Sequence, residues 1–86
     1  MYQVFVHGIE GKTIPVHVAN SESEFNAVTG RQMKRKLLAN LPANAAREER
    51  MRALFANRQL ADTDKLADNG IQNKSTILIV LRGGSG

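Results

Sequence analysis

The strongest constraint on this chain lies near its end, where a run of β-forming residues meets two glycines. Residues 77–81 are all apolar, and Arg82 and the glycine pair 83–84 follow them directly. The run predicts a strand, and glycine, which has no Cβ, makes the following segment thin. A strand that presents such a segment suggests a carboxyl end that enters the narrow active site of another protein. The tail alone also fits a frayed end or a linker, because residues 85–86 have Gly/Ser composition.

Length and cysteine content limit the classes of fold and chemistry. A chain of 86 residues makes one small domain, which we expect over residues 1–82, with a flexible tail over residues 83–86. The sequence contains no cysteine, which excludes a disulfide, a thiolate metal site and a thiol nucleophile on this chain. The chain therefore cannot itself be a thioester-forming enzyme, and because the sequence also lacks other catalytic patterns we expect a protein that is not an enzyme. A reducing, cytoplasmic location fits the same observation.

The charge pattern argues against nucleic acid and membrane as partners. The formal net charge is +4, and most of the positive charge lies in residues 31–36 and 47–58. A nucleic-acid surface would place aromatic residues beside these basic ones, and none lies within residues 31–36. We interpret the run as a solvated helix face. No apolar run approaches the roughly 18 residues of a membrane span, and no signal peptide precedes the first strand-like segment.

The first quarter of the chain predicts a hairpin. Residues 2–6 read as a strand, and residues 13–18 alternate apolar and polar side chains after a glycine-containing turn. Pro15 cannot donate a hydrogen bond to a neighbouring strand. The second strand should therefore lie at an edge of the sheet.

A loop and one amphipathic helix are predicted next. Residues 19–28 are polar and rich in serine, which is typical of a loop. Thr29 and Gln32 form a capping-box pattern. Apolar residues then recur at helical spacing until Pro42, which ends the element.

The segment of residues 45–55 is locally ambiguous. Its composition favours a helix, and Met51, Leu54 and Phe55 stand at helical spacing. A strand over residues 50–55 is also possible. A tight turn is predicted at Asn57 and Arg58, because asparagine tolerates positive φ.

The last third of the chain predicts one buried side chain within a polar segment and one strand. Residues 62–70 are polar and turn-rich, with Leu66 as a buried plug. Residues 76–81 form the last strand, and apolar side chains occupy both of its faces. Either both faces are buried, or one of them is an exposed patch.

Several separate segments of the chain resemble ubiquitin, in order and at compatible spacing. They are residues 3–6 (QVFV), 11–14 (GKTI), 52–60 (RALFANRQL), 68–72 (DNGIQ), 75–76 (ST) and 80–84 (VLRGG). The resemblance covers nearly the whole chain. It implies an α+β fold of the β-grasp type, with a mixed sheet of four to five strands packed on one helix. It also places residues 50–55 in a strand, against their local helix propensity.

The departures from the family pattern are also informative. Extra residues stand before and after the predicted helix, at loop positions where insertion is tolerated. Arg58 and Asn73 occupy positions at which ubiquitin has lysines that serve in chains. Lys12, Lys34 and Lys36 still align with family lysines and are the possible chain lysines. The resemblance therefore implies a divergent modifier rather than ubiquitin itself.

The resemblance implies a protein modifier that is joined to targets by an isopeptide bond. In this family the terminal glycine carboxylate, here that of Gly84, is adenylated, passed to a cysteine as a thioester and joined to a lysine amine. Gly83 and Gly84 carry no side chain that would clash in a narrow channel. Arg82 would contact an acidic groove of the activating enzyme. A peptidase would first remove Ser85 and Gly86.

The implied partners are an activating enzyme, a conjugating enzyme, a processing and deconjugating peptidase, and the target proteins. ATP would be used by the activating enzyme, so we expect no cofactor on this chain, and a monomer when it is free. His7 and His17 lack the further ligands that zinc needs, so no metal site is predicted. We interpret Glu22 and Glu24 as solvated loop residues that form no acid–base pair. No phosphate loop, nucleophile elbow or triad pattern is present in the sequence.

An apolar recognition patch is the second implied site. Ile9, Leu54 and Val80 align with the three apolar residues of ubiquitin's main recognition surface, and Leu78 replaces a histidine there. If they are exposed and contiguous, these side chains form a partner-binding patch. The alternative is that the chain's own loops or tail cover them. Phe5 is expected toward the opposite side of the sheet edge, as a smaller contact.

Two other functions remain open from the sequence. One is a sulfur carrier of the same fold, whose terminal glycine becomes a thiocarboxylate. The other is a ubiquitin-like interaction domain that is not conjugated. The glycine pair alone does not separate a modifier from a sulfur carrier, because both use adenylation.

Overall fold

The computed structural model describes residues 1–42 and 47–82, and in those ranges the chain forms five strands and two α-helices. The strands are β1 (Tyr2–Ile9), β2 (Lys12–Ala19), β3 (Met51–Phe55), β4 (Arg58–Leu60) and β5 (Thr76–Leu81). The helices are α1 (Glu22–Ala27) and α2 (Gly30–Leu38). Two short 3-10 helices cover Glu48–Arg50 and Ala67–Asn69.

The five strands form one mixed sheet in the order β2-β1-β5-β3-β4. β1 and β5 are parallel, and the other neighbours are antiparallel. This topology confirms the predicted α+β class and is β-grasp-like. Pro15 lies on β2, which is an edge strand as its missing N–H predicted.

Two hairpins close through two-residue turns with positive φ at both residues. Glu10 and Gly11 (φ 54° and 70°) join β1 to β2, and Ala56 and Asn57 (φ 53° and 66°) join β3 to β4. Such turns match the right-handed twist of the strands they connect. The second turn lies one residue earlier than predicted, because Arg58 already pairs with Phe55.

The core lies between the inner face of the sheet and α2. Alternate strand residues point inward, so Val4, Val6, Ile77 and Ile79 are almost fully buried. They pack in one cluster with residues of α2, such as Leu37. Each such side chain stabilises the fold by about 1.5–3 kcal/mol relative to exposure.

Leu66 fills the end of this core. It is fully buried, as predicted for the one leucine in the polar segment of residues 62–70. Its N–H donates to the carbonyl oxygen of Val28 at 2.9 Å, and it accepts a bond from Ile71. The turn-rich segment is thereby fixed to the start of α2.

The prediction of a loop over residues 19–28 is wrong, because α1 lies there and is a second helix beyond the one expected. Ser21 caps it by accepting a bond from the N–H of Glu24 at 3.2 Å. The Glu24 carboxylate accepts in turn from the N–H of Asn20. Phe25 is buried, and its ring centroid lies 5.5 Å from that of Tyr2. One buried aromatic, the Ser21 cap and the bond between Asn20 and Glu24 hold this short helix against the domain.

β3 forms where local propensity favours a helix. Its residues pair with β5 from Met51 opposite Leu81 to Leu54 opposite Leu78. Met51 and Ala53 point into the core, while Arg52 is exposed. Tertiary pairing therefore overrides propensity here, as the resemblance implied.

α2 begins where the sequence predicts it. The hydroxyl of Thr29 accepts from the N–H of Gln32, and the side chain of Gln32 accepts from the N–H of Thr29. The N–H groups of Gly30 and Arg31 donate to carbonyl oxygens of the segment after β4, at 2.9 and 3.0 Å. The first turn of α2 is thus tied to residues 61–64, and Gly30 is buried.

The contact of Gly30 with that segment generates a stability prediction. Alanine is favoured over glycine inside a helix by about 1 kcal/mol. A Cβ at Gly30, however, would lie 2.6 Å from the carbonyl oxygen of Ala61. Because the obstacle is backbone, we expect Gly30→Ala to lower the free energy of unfolding by about 1–3 kcal/mol in urea denaturation. An unchanged or higher stability would contradict this contact, since propensity alone gives the opposite sign.

Candidate functional site

The outer face of β5 carries an exposed apolar surface. Leu78 and Val80 are each 42% exposed, although β5 lies in the middle of the sheet. Leu54 stands opposite Leu78 on β3 and is half-buried. We call Leu54, Leu78 and Val80 the apolar patch. Of the two arrangements that the sequence left open for the last strand, the structure has the one with an exposed face.

Ile9 does not contribute to this surface. It was expected with the apolar patch, but only 4% of it is exposed and it belongs to the core cluster. A bulge in β1 causes the difference: His7 pairs with Thr13 and Ile9 with Lys12, so Gly8 is the extra residue. An extra residue exchanges the faces of everything after it, which turns Ile9 inward.

Gly8 also explains how closely β1 approaches β5 at this point. Its φ is 117°, and a Cβ there would collide with the carbonyl oxygen of Ile79. Only glycine fits both the angle and the space. Beside Ile79, β1 therefore presents bare backbone, while His7 is the residue of β1 that stands opposite Leu78.

A shallow groove of about 280 Å³ adjoins the apolar patch. Its lining includes His7, Leu54 and Leu78, with the Ala56–Asn57 turn at one end. The His7 imidazole is hydrogen-bonded through Nδ1 to Thr13 Oγ1 at 3.0 Å. Phe5 is half-buried and pairs with Thr76. An apolar side chain of a partner could enter here between the strands and the turn.

Arginines surround the end of β5. Arg52 stands opposite Val80 and is exposed. The backbone N–H of Arg82 donates to the carbonyl oxygen of Arg50 at 2.7 Å, which extends the pairing of β3 and β5 by one bond. The residues predicted for conjugation, Gly83 and Gly84, lie outside the described residues. The chain reaches them from an exposed, positively charged end of the sheet.

A partly buried ion pair joins α2 to the segment after β4. The Nζ of Lys34 donates to Oδ1 of Asp62 at 2.7 Å, and the Lys34 side chain is only 7% exposed. Arg31 reaches both Asp62 and Glu48, and Arg35 donates to Glu48 at 2.9 Å. The hydrogen bond from Lys34, helped by the charges of Lys34 and the two arginines, holds the pKa of Asp62 below its ordinary value. Partial desolvation acts in the opposite direction.

This network changes the interpretation of the basic run in residues 31–36. Lys34 was predicted as a possible chain lysine, but its amine is buried and paired, so it is not available in this conformation. Lys12 and Lys36 are exposed. No local pattern in the sequence indicates this pair, because Lys34 and Asp62 are 28 positions apart.

Other site classes find no support in the described residues. In residues 1–42 and 47–82 no group of three or more His, Cys, Asp or Glu side chains could hold a metal ion. Within the same ranges no helix has the length and apolar character needed to cross a membrane. In a comparison with models of known protein families, none matches this chain.

The Lys34–Asp62 pair generates a pH-dependent stability prediction. Asp62→Asn leaves the buried Lys34 ammonium without its anion, so we expect a loss of about 1–3 kcal/mol in the free energy of unfolding at pH 7. Because folding lowers the pKa of Asp62, this contribution is complete above the pKa of the unfolded state. It is lost as the pH falls through the lower pKa of the folded state.

Urea denaturation at several pH values measures that difference. The gap between the two proteins should shrink steadily in acid. Asp68→Asn is a matched control, because Asp68 is exposed and lies in no ion pair among the described residues. A gap that stays constant with pH would contradict the assignment to Asp62.

Lysine accessibility gives a second prediction from the same geometry. We expect acetylation of the folded protein by an activated ester to be about tenfold slower or more at Lys34 than at Lys36, because Lys34 reacts only after local opening. Lys36 is the internal control, since it lies two residues further along α2 and is exposed. Peptide mass spectrometry after short labelling measures both rates. Equal rates would contradict the burial of Lys34.

Proposed function

We propose that this protein is a ubiquitin-like modifier whose Gly84 carboxylate is activated by an ATP-dependent enzyme and joined to target amines. A peptidase would first remove the residues that follow Gly84. The observation that carries the proposal is the position of β5. This central strand exposes Leu78 and Val80 on its outer face and leads directly to Arg82 and the glycine pair. One strand therefore carries the exposed apolar surface, and the residues without side chains follow it closely in the sequence.

The chemistry assigned to this chain requires only its carboxylate. A carboxylate oxygen attacks the α-phosphorus of ATP, and pyrophosphate leaves. A cysteine thiolate of the activating enzyme then attacks the acyl carbon and AMP leaves, which gives a thioester. A target amine finally displaces the thiolate and forms an amide. This chain has no cysteine, so the thiol has to come from its partners.

The charges around the apolar patch favour a particular kind of partner surface. Leu78 and Val80 supply an apolar centre, while Arg52 and Arg82 are exposed on the side where the chain leaves the sheet. A complementary surface would be apolar in the middle and acidic toward the tail. Such a surface would both hold the domain and guide Gly84 toward an active site.

Trypsin digestion tests the proposed conjugation, because the sequence has a trypsin cleavage site just before the glycine pair. Trypsin cuts after Arg82, so a target lysine joined to Gly84 would keep a Gly-Gly remnant. We expect remnants on lysines of other proteins when an N-terminally tagged chain is purified under denaturing conditions from its own source cells. A chain that ends at Gly84 should also form a thioester with the activating enzyme of those cells, and the thioester should be cleaved by dithiothreitol.

A chain that ends at Gly83 is the control for both measurements, since it keeps the domain and loses only the reactive residue. It should form neither adduct. Absence of adducts from the chain ending at Gly84, together with no cleavage after Gly84 of the longer chain, would refute conjugation. A terminal mass increase equal to the exchange of oxygen for sulfur would instead assign the sulfur-carrier function.

A further inference from the structure

A second groove lies at the opposite end of β5 from Arg82 and is formed largely by α1. Its volume is about 350 Å³. We call it the α1 groove. It is lined by Tyr2, Phe25 and Ile71 among apolar residues, and by Glu22, Asn26 and Asn73 among polar ones. No residue of the apolar patch lines it.

The apolar side chains form the floor of the α1 groove. Phe25 is 4% and Ile71 2% exposed, so both are fixed in the core and present only an edge. Tyr2 is half-buried, and its ring lies tilted by 33° against that of Phe25. A floor of two aromatic rings and an aliphatic side chain binds the apolar stem of a long side chain.

The walls of the groove are held in place by hydrogen bonds. Asn73 Oδ1 accepts from the N–H of Gln3 at 2.9 Å, and the N–H of Lys74 donates to the carbonyl oxygen of Gln3 at 2.6 Å. On the other side the Ser21 cap fixes the first turn of α1. The groove is therefore formed before any ligand arrives, which lowers the cost of binding.

The charge of the groove indicates the chemistry of its occupant. Among its described lining side chains, Glu22 is the one that carries a formal charge, and it is exposed. The chain as a whole has a net charge of +4, whereas the charged side chain at this groove is a carboxylate. Asn26 follows Glu22 by one helical turn and adds an amide oxygen to the same rim.

We propose that the α1 groove binds an arginine side chain of an extended peptide segment in a partner protein. The guanidinium pairs with the Glu22 carboxylate and donates to the amide oxygen of Asn26. Its aliphatic stem lies on the ring of Tyr2, which is the more exposed of the two rings, and against the edge of Phe25. Arginine suits this site better than lysine, because its planar group matches a carboxylate with two parallel bonds and stacks on an aromatic face.

This interaction does not depend on the proposed function. The strand from Thr76 to Arg82 places the groove and the exit of the tail about 20 Å apart at about 3.3 Å per residue. A partner in the α1 groove would leave the tail free. The domain could then be held at one end while its carboxyl end is handled at the other.

A peptide titration tests the proposal with the full chain. The probe is Ac-Ala-Leu-Arg-Leu-Ala-NH2, followed by amide chemical shifts of the isotope-labelled protein. We expect saturable shifts at Tyr2, Asn26 and Asn73, and about fivefold weaker binding after Glu22→Gln. The same peptide with citrulline in place of arginine keeps the shape and removes the charge, so it should lose affinity to a similar extent.

Glu10→Gln is the matched control, because it removes one negative charge from an exposed residue at the far hairpin turn. It should leave the affinity unchanged. The proposal is overturned if no saturable shift occurs up to about 2 mM peptide, the millimolar limit of weak specific binding. It is also overturned if the citrulline peptide binds equally well, or if the shifts centre on the apolar patch. Shifts at the groove that follow protein concentration without peptide would assign the site to a second copy of this chain and overturn it too.

Discussion

The pairing of β5 with two neighbours at once is the interaction on which the rest of the structure depends. As the central strand it lies parallel to β1 and antiparallel to β3. Its own pattern does not fix its register, because all of residues 77–81 are apolar and a shift by one would exchange two equally apolar faces. The pairs that β5 forms with β1 and β3 define the register instead. Gly8 permits it, because β1 comes so close to the backbone of Ile79 that any side chain would collide, and in this register Ile79 is buried and Leu78 exposed.

Most of the fold follows from local chemistry that is visible in the sequence. The missing N–H of Pro15 and the capping box of Thr29 are short-range causes, and both were predicted. The burial of Leu66 was also predicted, because it is the one leucine in the polar segment of residues 62–70. α1 was missed although Ser21 and Glu24 stand at capping-box spacing, because serine-rich composition outweighed that signal. β3 shows the reverse case, since no local signal overrides its helix propensity and only pairing with β5 makes it a strand.

Less of the candidate site than of the fold could be predicted from the sequence. Leu54, Leu78 and Val80 do lie together, but alignment alone could not place Ile9, because a bulge is invisible to a residue-by-residue match. The basic run was interpreted as one solvated face, and Lys34 breaks that interpretation by burying its amine against Asp62. Both errors have the same origin. Burial of a single side chain depends on residues far away in the chain, whereas periodicity describes only the element that carries it.

The segment that forms α1 shows how a short polar stretch can add a surface to a small domain. A disordered loop of this length would bury too few apolar atoms to offset the entropy of ordering it. Here one buried aromatic, Phe25, and a cap at Ser21 hold the segment as a helix. Its packing against Tyr2 adds a wall beside the sheet. Because α1 packs mainly against β2 and Ala67–Asn69, this surface can change with little effect on β5. Two surfaces at opposite ends of one small sheet are therefore free to acquire separate partners.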